Sequence, residues 1–220
     1  MAKDLNVIYS FKISKAAKYN FACLSILKSN PIKKHDDWKK SCYQPLKDFI
    51  KSSYYQPQYR RCAYCRKRLN ADGYFNHIDH IIPKLHHKRW MFTPKNLTIT
   101  CEVCNPLKNA DDTLINTHSK FRFPTKISGF TIFNPHFEKW ENCFEIQDGM
   151  FLKGKNKRGE ETIKICKLYQ YHFSVQFSEE SEVVPKSAIK RATARQRIYA
   201  KDSLEYQSAF KVIDYYQKLI

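Results

Sequence analysis

Two Cys-x-x-Cys pairs, Cys62-Ala-Tyr-Cys65 and Cys101-Glu-Val-Cys104, are separated by 35 residues and constrain this chain more than any other feature. Thiolates two residues apart lie on one tight turn, and two such turns brought together make a tetrahedral site for zinc. A simple zinc ribbon separates its pairs by roughly 15 to 20 residues, so the longer insert here has to be a folded unit of its own. Four thiolates around one ion leave no open position for water, which makes the expected zinc structural rather than catalytic. Cys23, Cys42, Cys143 and Cys166 stand alone and read as small buried hydrophobes, with no disulfides expected.

The insert carries donors of a different kind: His77-Ile-Asp79-His80-Ile-Ile-Pro83, then Asn96-Leu97, with Asn105 and Lys108 just beyond the last cysteine. Hydrolysis of a phosphodiester needs a base to deprotonate water, a cation to offset charge on the phosphoryl oxygens, and something to hold the base in place. A neutral imidazole at His80 accepts a proton near pH 7. Asp79 offers a hard carboxylate suited to Mg²⁺ or Mn²⁺, and Asn105 a neutral amide oxygen. His77 shares the face of Asp79 on an extended strand, as packing or polar support first and a ligand second. Taken singly, His80 reads as a core or surface histidine and Asn96 as a helix cap. Their order and adjacency, with Pro83 and the flanking cysteines, favour chemistry.

This arrangement resembles the HNH endonucleases, the ββα-metal nucleases of the His-Me finger superfamily, in the form that carries a four-cysteine zinc knuckle. The resemblance implies Asp79 and Asn105 as ligands of a catalytic Mg²⁺ or Mn²⁺, His80 as general base, and Asn96 as the residue that ties down the loop carrying His80. It also implies 5′-phosphate and 3′-hydroxyl products. Asn105 stands where many members of the family have histidine. The stretch beyond the knuckle, with Asn134-Pro135-His136-Phe137 and then Lys157-Arg158-Gly159-Glu160-Glu161-Thr162-Ile163, is similar to a region of the HNH proteins of Septu-type and retron-associated anti-phage defence systems. His136 reads equally as a turn residue and as an approach to the active site.

Lys and Arg number 39 against 21 Asp and Glu, a net charge of +18, for which a polyanion is the natural partner. Nucleic acid is expected, DNA by the preference of the family, with RNA kept open. The expected phosphate contacts are Arg66, Lys67, Arg68, Lys84, Lys88, Arg89, Lys95 and Lys108, with His86 and His87 in the same basic loop. Trp90 and Phe92 are expected in the core of the finger. No run approaches the roughly 20 apolar residues of a membrane span, and Met-Ala-Lys-Asp-Leu lacks the blocks of a signal peptide, so the expected protein is soluble and cytoplasmic. Two rival readings remain: an inert zinc-knuckle binding module, and a nuclease subunit silent without an ATPase partner encoded nearby.

The expected fold is α+β: a ββα-metal HNH core with a structural zinc knuckle, flanked by helical segments and a β-rich extension. Residues 1–58 read as helical, with Phe21, Leu24, Ile26 and Leu27 as one apolar cluster and Trp38, Leu46, Phe49 and Ile50 as another. Residues 59–125 read as the nuclease core, with a β-hairpin indicated by the alternating Tyr74, His77, Ile78, Ile81 and Ile82 that follow a turn at Asp72-Gly73, and with Asn96 to Lys108 beginning the helix. Residues 126–180 read as β-rich at Ile132–Phe137, Phe144–Ile146 and Thr162–Ile165, divided by turns at Asp148-Gly149 and Arg158-Gly159. Residues 181–220 read as basic helix, with Lys190, Arg191, Arg195 and Arg197 in its first half.

Overall fold

The computed structural model describes residues 9–70, 76–115 and 121–220. The chain is a mixed α+β protein with two small two-stranded sheets among the helices of the described residues. In α1 (Phe21–Ser29), the Asn20 side chain caps the helix by accepting from the Cys23 N–H at 2.9 Å, satisfying one of the donors that a helix start leaves open. Ile26 and Leu27 lean on the core, but Phe21 and Leu24 are 87% and 54% exposed. The expected first apolar cluster is therefore split between two faces.

α2 (Gln44–Tyr55) begins with Pro45 in its first turn, where the missing N–H would have had no partner. Leu46, Ile50 and Tyr54 recur every fourth residue and are fully buried, so one stripe of α2 packs inward. The Tyr54 hydroxyl donates to Pro94 O at 2.9 Å and accepts from the Ala17 N–H at 3.0 Å.

β1 (His77–His80) pairs antiparallel with β2 (Leu97–Thr100), Asp79 opposite Thr98 and His80 opposite Leu97. The Asp72-Gly73 turn and Tyr74 lie outside the described residues, and the partner of β1 is a strand across the 81–96 loop. The helix expected from Asn96 starts later, as α3 (Cys104–Lys108). Leu97–Thr100 is instead a strand buried at every position, for which three β-branched residues in succession are suited. The other edge of β2 is closed by a buried side chain. Gln58 Oε1 accepts from the Thr98 hydroxyl and the Ile99 N–H, both at 2.8 Å, and Gln58 Nε2 donates to Ile99 O at 2.8 Å. Such pairing removes the exposed edge that a two-stranded sheet would present.

Beyond the sheet, α4 (Trp140–Cys143) leads into a hairpin of β3 (Phe144–Gln147) and β4 (Phe151–Gly154). Asp148 and Gly149 both take positive φ, 54° and 70°, and the Met150 N–H closes onto Gln147 O at 3.0 Å, the handedness that suits a twisted hairpin. Two other expected strands are absent as strands. Ile132–Phe137 is an irregular buried segment, and Thr162–Ile165 lies inside α5 (Lys157–Ile165). The Asn156 carboxamide caps α5 on the Gly159 N–H at 3.0 Å, and a Cβ at Gly159 would sit 2.0 Å from Cys143 O. The expected Arg158-Gly159 turn is thus a close approach of two helices, the second use of glycine.

α6 (Tyr171–Glu180), α7 (Pro185–Ile198) and α8 (Leu204–Gln217) complete the chain. α7 and α8 enclose a second apolar cluster with Met150 and Phe151 through Ala188, Ala192, Ala209 and Val212. Two links, one of them fully buried, fasten these additions to the cysteine turn. Trp140 Nε1 donates to Tyr64 O at 2.9 Å, and the Arg61 guanidinium meets the Glu180 carboxylate at 2.9 Å. Among the described residues, no helix is long and apolar enough to cross a membrane.

Candidate active site and zinc knuckle

The first Cys-x-x-Cys pair lies on a turn closed by the Cys62 N–H to Lys67 O at 2.8 Å, with Arg66 at φ 60°. The second opens α3. The four sulfurs are buried and lie within 4.8 Å of one another, Cys65 and Cys101 at 3.7 Å. Zn–S bonds of 2.3 Å in a tetrahedron place sulfurs about 3.8 Å apart, so the cluster has the dimensions of a zinc site. Burial pushes the Cys65 and Cys104 thiols well up, while hydrogen bonds from neighbouring thiols hold Cys101 down. Four thiolates in this volume require a cation between them.

Each half of the knuckle sends one side chain to Asp79. From the first, the Tyr64 hydroxyl donates to Asp79 Oδ2 at 2.7 Å. Burial, then the Asp79 charge, raises the Tyr64 phenol well above its usual range, which keeps it a donor. From α3, the fully buried Lys108 ammonium reaches Asp79 Oδ1 at 3.3 Å and His80 O at 2.8 Å. The cysteine spacing carries no pointer to Tyr64 as a partner of Asp79, and Lys108 is expected from the sequence as a phosphate contact.

His80 is 5% exposed, with its Nε2 3.1 Å from Met91 O. A carbonyl has no proton to give, so Nε2 carries the hydrogen and Nδ1 keeps the lone pair. Burial first, then the charges of Lys84 and Lys108, lowers the imidazole pKa well below its usual value, leaving the ring neutral at pH 7. Trp38 stands edge-on to it at 4.5 Å. The loop between β1 and β2 is pinned by Asn96: its Nδ2 donates to Ile82 O at 3.0 Å and Trp90 O at 3.1 Å, and its Oδ1 accepts from the Ile82 N–H at 2.8 Å. The same loop carries Met91, the partner of His80.

Asp79, His80 and Asn105 line one cavity of about 410 Å³, with His77, Lys84, Trp38, Lys47 and Lys51 also in its wall. Among the described residues, Lys84 is the member of the expected phosphate-contact set that lines it. Arg66 and Lys108 are fully buried, which corrects their reading as phosphate contacts. Arg66 donates to Cys62 O and Gln58 O at 3.1 Å and lies over the Phe11 ring at 3.8 Å, so its charge serves the knuckle turn. Lys67 pairs with Glu102 at 2.8 Å. Arg68 is exposed, as are Lys88, which donates to Lys33 O, Arg89 over Phe121, and Lys95 over Phe137. Trp90 and Phe92 are buried as expected, but so is His87, stacked on Trp90 at 4.9 Å, against its reading as a phosphate-facing residue. His86 has its Nε2 2.9 Å from Ala110 O. Lys47 and Lys51 belong to α2, in a segment whose charge patterning carries no pointer to a cavity formed with residues 76–110.

His136 does not line this cavity. Its Nε2 donates to Leu97 O at 2.8 Å beneath β2, and burial lowers its pKa to about 4. A histidine at 6.5 unfolded and about 4 folded binds its proton in the unfolded chain first, so stability is complete above about pH 6.5 and falls as pH drops toward 4. The expected loss is on the order of 3 kcal/mol. Chemical denaturation at pH 7 and pH 4.5 measures it, and His136→Phe should remove its part of the difference.

Residues 62–111 match the family model for the HNH endonuclease domain. The chain is also similar to a Septu protein PtuB of Bacillus thuringiensis, 26% identical over 124 residues, which are 56% of this chain and 42% of that protein.

Proposed function

We propose that this chain is a metal-dependent HNH endonuclease that hydrolyses nucleic-acid phosphodiester bonds, DNA by preference, as the nuclease of an anti-phage defence system. The unit carrying the chemistry is residues 59–125, with 1–58 contributing α2 to the cavity wall, and 126–180 and 181–220 as added segments. The observation that supports it most is the pinned tautomer of His80 beside Asp79 and Asn105 in one cavity. Zinc at Cys62, Cys65, Cys101 and Cys104 would be structural. The donor set of Asp79 and Asn105, one anionic and one neutral oxygen, fits Mg²⁺ or Mn²⁺. When bound, that ion supplies a positive charge against the scissile phosphate and its leaving oxygen.

The remaining steps belong to the chain itself. His80 Nδ1 takes a proton from the attacking water as it adds to phosphorus, and the imidazolium is stabilised through Nε2–H on Met91 O. Asn96 holds the loop at Ile82 and at Trp90, the residue before Met91. Trp38 walls one side of the ring and limits bulk water there. Lys84, Lys47 and Lys51 offer positive charge to the phosphates flanking the scissile bond.

The test is incubation of purified protein with plasmid, single-stranded DNA and RNA, with and without Mg²⁺ or Mn²⁺. Divalent-dependent cutting is expected, and binding without cutting under all conditions would favour the inert binding module. The relative's Septu name supports a second arm, repeating the assay with any ATPase encoded beside this chain.

Binding should weaken with salt by roughly one log unit of affinity per log unit of salt for each phosphate contact. Changing Lys47 and Lys84 together to Gln should flatten that slope by roughly two, with zinc content unchanged. An unchanged slope would move the binding face away from this cavity.

A further inference from the structure

Lys108 is a buried cation bound to the carboxylate that the nuclease reading gives to the catalytic metal. Its side chain has no exposure, its Nζ sits 3.3 Å from Asp79 Oδ1, and its second bond, to His80 O at 2.8 Å, anchors it to the backbone of β1. Asp79 Oδ2 is already engaged by Tyr64 at 2.7 Å. Both carboxylate oxygens are therefore partnered by protein donors, one of them fully charged. α3 fixes the origin of Lys108, because the helix begins at Cys104 within the cysteine cluster and ends at Lys108.

We propose that Lys108 is a resident cation on Asp79 that competes with a divalent ion for that carboxylate, setting the metal affinity of this site low. The inference rests on the assignment of Asp79 as a metal ligand. Two physical reasons support it. Lys108 Nζ already occupies the Oδ1 side of Asp79 at 3.3 Å with no exposure of its own, so a metal ion drawn to that oxygen meets a cation fixed in place. The same ammonium repels a divalent ion brought to that carboxylate, and the repulsion is large because water is excluded from Lys108. The positioning role of Lys108 thus has a cost, weak metal binding, that a purely structural lysine would not impose.

The experiment is a Mn²⁺ titration of zinc-loaded protein, reading free Mn²⁺ by electron paramagnetic resonance with no substrate present. Lys108→Met is expected to bind Mn²⁺ about 10-fold more tightly than wild type or better, and Lys108→Gln, which can still donate to His80 O, to behave in the same direction. Lys108→Arg should stay weak. Equal or weaker binding by the folded Met or Gln variant overturns the proposal. Should neither variant fold, the wild-type protein still decides: the Lys108 ammonium nitrogen resonance should shift as Mg²⁺ is added, and a resonance unmoved at saturation overturns the proposal. Asp79→Asn separates the two readings. Mn²⁺ binding indifferent to that change removes the metal-site assignment itself, whereas binding sensitive to Asp79 but indifferent to Lys108 removes only the competition.

Discussion

Protein purified with close to one zinc per chain, and lost to unfolding when any one of Cys62, Cys65, Cys101 or Cys104 becomes serine, is the largest effect expected here. The four cysteines are not an appendage. They belong to the main apolar cluster with Leu97, Ile99, Tyr64 and Trp140, and the turn they hold accepts bonds from Trp140, Arg61 and Gln176. A structural zinc of this type contributes on the order of 10 kcal/mol, comparable with the 5 to 15 kcal/mol that holds a whole domain together. Removing one ligand should therefore unfold the core rather than loosen it. Metal analysis together with a thermal melt checks this, and a well-folded protein without zinc would falsify the site.

The second large effect is kinetic. His80→Ala should lower cleavage by about 100-fold or more, the loss expected for a general base, while nucleic-acid binding stays near wild type. The fold should survive, because the side chain makes one neutral hydrogen bond to Met91 O and its removal is expected to cost about 2 kcal/mol. The pH profile gives an independent readout. A base acts unprotonated, so activity is lost as pH falls through its pKa. Burial and the neighbouring lysines lower that pKa, placing the acid limb of wild-type cleavage below about 6.5. A variant that cuts as fast as wild type, or an acid limb above neutrality, would show that another group takes the proton.

The histidine illustrates how far a linear motif reaches. Its neighbour Asp79 and the later Asn105 are legible as a donor set from residue type alone. That Nε2 is the protonated nitrogen follows only from Met91 lying across the loop, next to Trp90, whose carbonyl accepts from Asn96. The chemistry of the motif is local, whereas the tautomer that makes it usable is not.

The extension shows the opposite limit. Thr162-Ile163-Lys164-Ile165 has the β-branched composition of a strand, yet Asn156 caps a helix that runs through it, and the Thr162 hydroxyl bonds Arg158 O at 2.6 Å while accepting from the Phe133 N–H at 2.8 Å. Tertiary contacts outweighed a weak intrinsic preference. Propensity was a better guide in the C-terminal segment, where α7 and α8 occupy the stretch expected to be helical.

Cysteine spacing, the Asp79-His80 adjacency and the positions of Asn96 and Asn105 were decided by the sequence, because coordination and proton transfer depend on donor types set a few residues apart. Charge was decided by the tertiary structure. Arg66 and Lys108 look like surface cations and are buried, while Lys47 and Lys51 of α2 look like a solvated helix face and line the cavity. A cation's use is set by what surrounds it, and those surroundings come from elements far away along the chain: α2 against the sheet, Glu180 of α6 against Arg61, and Lys108 of α3 against the carboxylate of β1.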